Sequence, residues 1–185
     1  MAVLPIVRLG HPALRTPAEA VPAGRVGEAD FRKLVDDMVE TMRAAEGVGL
    51  AAPQVGVGLQ LFVYEAVEPD DPAAGIPLRV VVNPMLESLA GELVYDWEGC
   101  LSIPDLRGLV PRHPEVRVRG LDATGRTLDY VAGGFEARII QHEFDHLNGV
   151  VFLDRMRDLQ SLAFYDEWEA FLREEGAPPE SGRAE

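Results

Sequence analysis

Apolar positions recur along the chain in two rhythms. Between Glu28 and Glu46 they are Phe31, Leu34, Val35, Met38, Val39 and Met42. The spacing i, i+3, i+4, i+7, i+8, i+11 is the stripe of an amphipathic helix. Asp36, Asp37, Glu40 and Arg43 fall on its wet side, Gly47 supplies the stop, and the methionines read as core. Ahead of it, prolines at 5, 12, 17 and 22 predict an extended, turning segment over residues 1–26. Beyond it the period shortens. Leu59 to Glu65 and Leu78 to Val82 are β-rich runs, read as buried strands on either side of an acidic, Pro-rich loop from Val67 to Pro77. Met85 to Tyr95 alternates around Gly91 as a hairpin would. After Trp97 to Pro104 comes a loop with Arg107 and Arg112. Glu115 to Leu121 and Thr127 to Val131 then flank Asp122-Ala123-Thr124-Gly125-Arg126 as a second hairpin.

Gly133-Gly134 leads into a second helix, closed by Asn148-Gly149. Phe135, Ile139, Ile140, Phe144 and Leu147 lie on more than one of its faces, which predicts a central, buried helix. Val150 to Leu153 reads as a short strand and Asp158 to Leu172 as a terminal helix. Residues 176–185 are rich in Pro, Gly and Glu and read as a disordered acidic tail. A chain of 185 residues suits one domain, placed over residues 1–175.

Composition narrows the class of protein. Hydrophobic residues make up 47% and charged residues 26%, the balance of a globular chain. A formal net charge of -14 argues against nucleic acid or an anionic membrane as the main partner. No apolar run approaches the roughly 20 residues of a membrane span. Met1 to Gly10 does not read as a signal peptide, so a cytoplasmic location is expected. Cys100, the only cysteine, cannot form an internal disulfide; by composition alone it is a small buried hydrophobe.

The second helix changes that picture. Gln141-His142-Glu143-Phe144-Asp145-His146 contains His-Glu-x-x-His. On a helix the two imidazoles are i and i+4, stacked on one face, where they can share a metal ion. Glu143 sits beside them, near enough to take a proton from a water at that metal. His11 and His113 stand in Pro-flanked loops and read as exposed. A third ligand is needed. A continuation into x-x-Gly-x-x-His fails, because Phe152 stands at the last position. Glu167 or Glu169 downstream remains open, and so does Cys100 upstream, which leaves one coordination position free for water. Gly47-Val48-Gly49-Leu50-Ala51-Ala52-Pro53-Gln54 lacks the ending of a phosphate loop. Its small residues suit a peptide-like ligand lying along Gly47 to Gly49, with the Gln54 amide donating to a developing oxyanion.

Three stretches together carry a resemblance: Gly47 to Gln54, Glu98-Gly99-Cys100-Leu101-Ser102, and Gln141 to His146. In that order and at those separations, the chain resembles peptide deformylase from its first helix to about Leu153. The resemblance implies an α+β fold, antiparallel sheets packed around a central helix that carries His-Glu-x-x-His, with an N-terminal amphipathic helix and a C-terminal helix. It implies hydrolysis of the formyl group from N-formyl-methionyl nascent peptides. Cys100, His142 and His146 would hold one divalent metal ion, Fe2+ in the cell, with Zn2+, Ni2+ or Co2+ able to occupy a purified sample. Glu143 would be the general base, with Gln54 and the Leu101 N–H as oxyanion donors. Val48 and Gly49 would pair with the substrate backbone; Val48, Phe135 and Ile139 would line the methionine pocket, and Arg107 would meet the peptide further along. Some members dock transiently at the ribosome through a basic C-terminal helix. Here Asp166, Glu167, Glu169, Glu174 and Glu175 make that end acidic against Arg173, so docking through it is disfavoured. The competing reading is a zinc metallopeptidase with Glu167 or Glu169 as third ligand.

Overall fold

The computed structural model describes residues 2–68, 75–89 and 91–172. Residues 2–26 wrap the molecule in extended form, with one 3-10 turn at Pro12–Leu14. The predicted first helix is α1, Ala29–Ala44. Then come β1 (Gly49–Ala51), a 3-10 turn (Ala52–Val55), β2 (Leu61–Ala66) and β3 (Ile76–Ser88). They are followed by β4 (Val94–Cys100), β5 (Ile103–Arg112), β6 (Glu115–Leu121) and β7 (Thr127–Gly133). The second helix is α2, Gly134–Leu147. The described chain ends with a 3-10 turn (Phe152–Arg155), β8 (Ala163–Phe164), α3 (Tyr165–Glu167) and a wider π turn over Trp168–Leu172. The strands form two sheets, β1-β2-β3-β6-β7 and β4-β5-β8, and the paired strands of both run antiparallel. The fold is α+β, as the resemblance implies.

Strand β2 shows why the sheet lies where it does. Phe62 and Tyr64 join the core that faces α2, while Leu61 and Val63 join the core against α1. Successive side chains point to opposite faces. A strand covered on both faces therefore needs an unbroken apolar run, and Leu61-Phe62-Val63-Tyr64 is one. A smaller core around Val110, Val151 and Phe152 lies under the second sheet. Helix α2 stands between the sheets and is buried nearly all round. Much of its buried surface is polar, however: Arg138, Gln141, His142, Glu143, Asp145 and His146.

Four local expectations are corrected. Met85 to Tyr95 is not a hairpin. β3 runs on to Ser88 paired with β6, and β4 starts at Val94 in the other sheet. Alternation shows a strand but not its partner, and here the chain changes sheets. Arg107 and Arg112 lie on β5, not in a loop. Val150 to Leu153 forms no strand; the 3-10 turn begins within it. The terminal helix starts at Tyr165 rather than Asp158, whose carboxylate accepts the Gln160 N–H at 2.8 Å and turns the chain. The proposed tail, residues 176–185, lies outside the described residues, as do residues 69–74 of the acidic loop.

Candidate active site

Helix periodicity places His142 and His146 one turn apart, with ring centroids 5.0 Å from each other. Cys100 ends β4 at the tight turn into β5, where it pairs with Ile103. That turn carries the sulfur to α2. Cys100 Sγ lies 3.2 Å from His146 Nε2. The three ligand atoms of Cys100, His142 and His146 are all within 4.8 Å of one another, and all three residues are buried. One soft sulfur and two imidazole nitrogens, converging and close, fit a single transition-metal ion. Among the described residues Cys100, not Glu167 or Glu169, joins the histidines; both glutamates are exposed.

A buried ion network fixes this geometry. Glu98 sits two residues before Cys100 on β4, so it shares the face turned to α2. His142 Nδ1 donates to Glu98 Oε2 at 2.9 Å, which leaves Nε2 for a metal. Arg112 grips the same carboxylate with Nε at 2.8 Å and Nη2 at 2.9 Å. Arg138 adds Nη1 at 2.8 Å and also donates to the carbonyls of Val110 and Val94. Arg112 continues to Asp145 at 2.6 Å, and Arg155 closes the chain on that carboxylate. Burial alone would raise Glu98, but Arg112 and His142 outweigh it and hold the carboxyl well below the usual range. Burial, then the neighbouring His142, keep His146 well below its ordinary value.

Glu143 points into the same cleft. Burial pushes its carboxyl up to about 7, and Oε2 has no hydrogen-bond partner among the described residues. Gly49 is glycine for this reason: a Cβ there would overlap the Glu143 carboxylate. Gln54 is buried. Its Oε1 accepts the Ala51 N–H at 2.8 Å, which turns Nε2 toward Cys100 Sγ at 3.6 Å and Ser102 Oγ at 3.4 Å. The cleft encloses about 430 Å³. Val48, Gly49, Gln54, Cys100, Leu101, Arg107, Phe135, Ile139, His142 and Glu143 all line it, so the structure brings these predicted site residues together. Ile139 is buried, while Val48 and Phe135 are exposed at the mouth.

His11 is exposed and accepts the Ala13 N–H. His113 is half-buried rather than exposed, because Gln141 clamps its backbone N–H and C=O at 3.1 and 2.9 Å. Sequence reasoning missed Glu98, Arg112, Arg138, Asp145 and Arg155. Glu98 carried a usable signal, an acid two positions from a ligand on one strand face. The arginines carried none, since their burial depends on distant partners.

A His-Glu-x-x-His helix that meets a cysteine over a peptide-sized cleft defines, as a class, a metal-dependent hydrolase. Comparison with known proteins narrows the class. The family model described as polypeptide deformylase matches residues 3–161. Peptide deformylase 1 of Nitrosomonas europaea is 42% identical over 168 residues, 89% of this chain and 93% of the relative. A ligand-bound class I type b peptide deformylase from Acinetobacter baumannii superposes with a TM-score of 0.79 at 38% identity, covering 84% of this chain and 100% of that one. The same enzyme with Met-Ala-Ser bound gives a TM-score of 0.78 at 38% identity, covering 84% and 99%. The chain belongs to the polypeptide deformylase family.

Proposed function

We propose that this protein removes the N-formyl group from the formyl-methionine that begins newly made polypeptides, releasing formate and a free amino terminus. One observation carries the reading: Cys100, His142, the Glu143 carboxylate and the Gln54 amide all line one cleft, and the fully buried His146 brings a third donor within 4.8 Å of the first two. Cys100, His142 and His146 would hold the metal, which when bound would supply Lewis acidity and a water activated for attack. We propose Fe2+ as the ion in the cell on the strength of the family resemblance; the sulfur and nitrogen donor set itself accepts Zn2+, Ni2+ or Co2+ as well.

The residues divide the rest of the work. Glu143 takes the proton from the attacking water as the C–O bond forms, then passes it to the nitrogen as the C–N bond breaks. Gln54 Nε2 and the Leu101 N–H donate to the carbonyl oxygen as it gains charge. β1 is the edge strand of its sheet, bonded to β2 on one side. Its cleft end, at Gly49 and the preceding Val48, pairs with the incoming peptide as an added strand. Val48, Phe135 and Ile139 hold the methionine side chain, and Arg107 meets the peptide beyond it. No helix among the described residues is long and apolar enough to cross a membrane. We place the enzyme in the cytoplasm, where its substrates are made and a free thiol ligand stays reduced.

The test is formate release from formyl-Met-Ala-Ser by anaerobically prepared protein with metal analysis alongside. Activity is expected in the native protein. Glu143→Ala should keep its metal and lose about 10²- to 10⁴-fold in rate, while Cys100→Ser should lose metal. A Glu143→Ala protein that still releases formate at the native rate refutes the mechanism.

A further inference from the structure

A stretch that the chemistry above does not use packs against one residue of the cleft wall, Arg107. β8 pairs with β5 at Leu106↔Phe164 and Arg107↔Ala163, which brings α3 and the π turn alongside Arg107. The Arg107 guanidinium lies 4.8 Å from the Tyr165 ring centre and 5.8 Å from that of Trp168. The two rings lean on each other with centroids 5.5 Å apart, and Trp168 meets Trp97 edge-on at 6.1 Å. The same guanidinium crosses Gly99, where a Cβ would overlap it. Nη1 donates to Leu106 O at 3.1 Å, and this is the side chain's only hydrogen bond among the described residues. An arginine has five N–H donors in one planar fork, so the rest stay available to a ligand. Trp97, Gly99 and Arg107 all line the cleft.

We propose that Tyr165 and Trp168 are positioning residues that hold Arg107 as the recognition group for backbone carbonyls of the peptide beyond its methionine. This inference rests on the deformylase reading. The C-terminal segment would then set how strongly the enzyme prefers a peptide chain over a lone formylated methionine. The acceptor is a neutral carbonyl rather than a carboxylate, because Glu46 and Asp105 line the same cleft and repel anions. Stacking is what makes the arrangement work. A free arginine side chain loses rotamer entropy on binding, whereas one already stacked on rings loses less.

The experiment compares formyl-Met-Ala-Ser amide with formyl-Met amide on metal-loaded enzyme. Trp168→Leu and Tyr165→Leu should each raise KM for the longer peptide about three- to ten-fold, with kcat, metal content and KM for formyl-Met amide unchanged. Trp168→Phe and Tyr165→Phe, which keep an aromatic face, should keep KM for the longer peptide close to the native value. Arg107→Ala should raise the same KM, and Trp168→Leu added to it should do nothing more. An equal rise for both substrates, or additive effects in the Arg107→Ala background, overturns the proposal and leaves the deformylase reading intact. Native enzyme that releases no formate from either peptide overturns the deformylase reading itself, before any variant is compared.

Discussion

At the scale of single residues, the site is tight enough that two of its glycines are defined by what stands beside them. A Cβ at Gly49 would overlap the Glu143 carboxylate, and one at Gly99 would overlap the Arg107 guanidinium. Gly49→Ala should therefore displace Glu143 without touching a metal ligand. Its kcat/KM is expected to fall about 10²-fold at unchanged metal content, read by formate release and metal analysis together. Glu98 makes a second case. Its carboxylate faces His142, Arg112 and Arg138 at once. Glu98→Gln should weaken metal affinity about 10- to 100-fold, seen by competition with a chelator. It should also cost about 3–5 kcal/mol in urea unfolding, since buried Arg138 loses its charge partner and Arg112 is left with Asp145. Cys100, His142, Glu143 and His146 were legible as letters, because ligands and bases come from few residue types at short spacings. The Glu98–Arg112–Asp145–Arg155 chain was not. A charged residue in a sequence looks solvated until the fold shows what closes over it.

At the scale of elements, period carried the reading well wherever a single face decides the outcome. The stripe of α1 and the hairpin of β6 and β7 follow directly from it. Met38 lies at the centre of the α1 stripe and is fully buried. Met38→Ala is expected to lower stability by about 2–5 kcal/mol, read as a shift in the urea midpoint at constant slope. Period failed where partner choice matters. The alternation from Met85 to Tyr95 is real, yet its two halves serve different sheets. The apolar residues from Leu159 to Leu172 suggested one helix, but Ala163 and Phe164 are drawn onto the edge of β5 first. A pairing with a strand more than fifty residues away leaves no local trace. α2 shows the opposite case. Its burial was legible, but six of its buried residues are polar and serve the site and its supports.

At the scale of the whole molecule, the proposed metal ligands come from β4 and from α2, so binding would tie the second sheet to the central helix. An ion that binds only the folded form stabilises it by about 2.7 kcal/mol at a hundred times its dissociation constant. Stripping the metal should lower Tm, and adding it back should restore Tm in a concentration-dependent way; an unchanged Tm would contradict the assignment. The N-terminal wrap is fastened separately. Ala18 N–H bonds to Leu147 O at 2.8 Å, and Arg15 pairs with Asp154. Burial alone would raise Asp154, but Arg15 and the Val151 N–H outweigh it and hold its carboxyl below the usual 3.8. A lowered carboxylate favours the fold above its unfolded pKa, and that favour is lost as pH falls through the folded value. Stability followed below about pH 4 should therefore fall less steeply in Arg15→Ala, by no more than about 1 kcal/mol for so exposed a pair. The separation of the ligands along the chain also has a consequence in time. A ribosome delivers the N-terminal end first, so Cys100 emerges well before His142 and His146. During that interval the thiol lacks the buried surroundings that the fold gives it, and only the reducing cytoplasm protects it from oxidation. The forty-odd residues from β5 to α2 thus mark a period of vulnerability in each molecule's synthesis, which ends when the second histidine arrives.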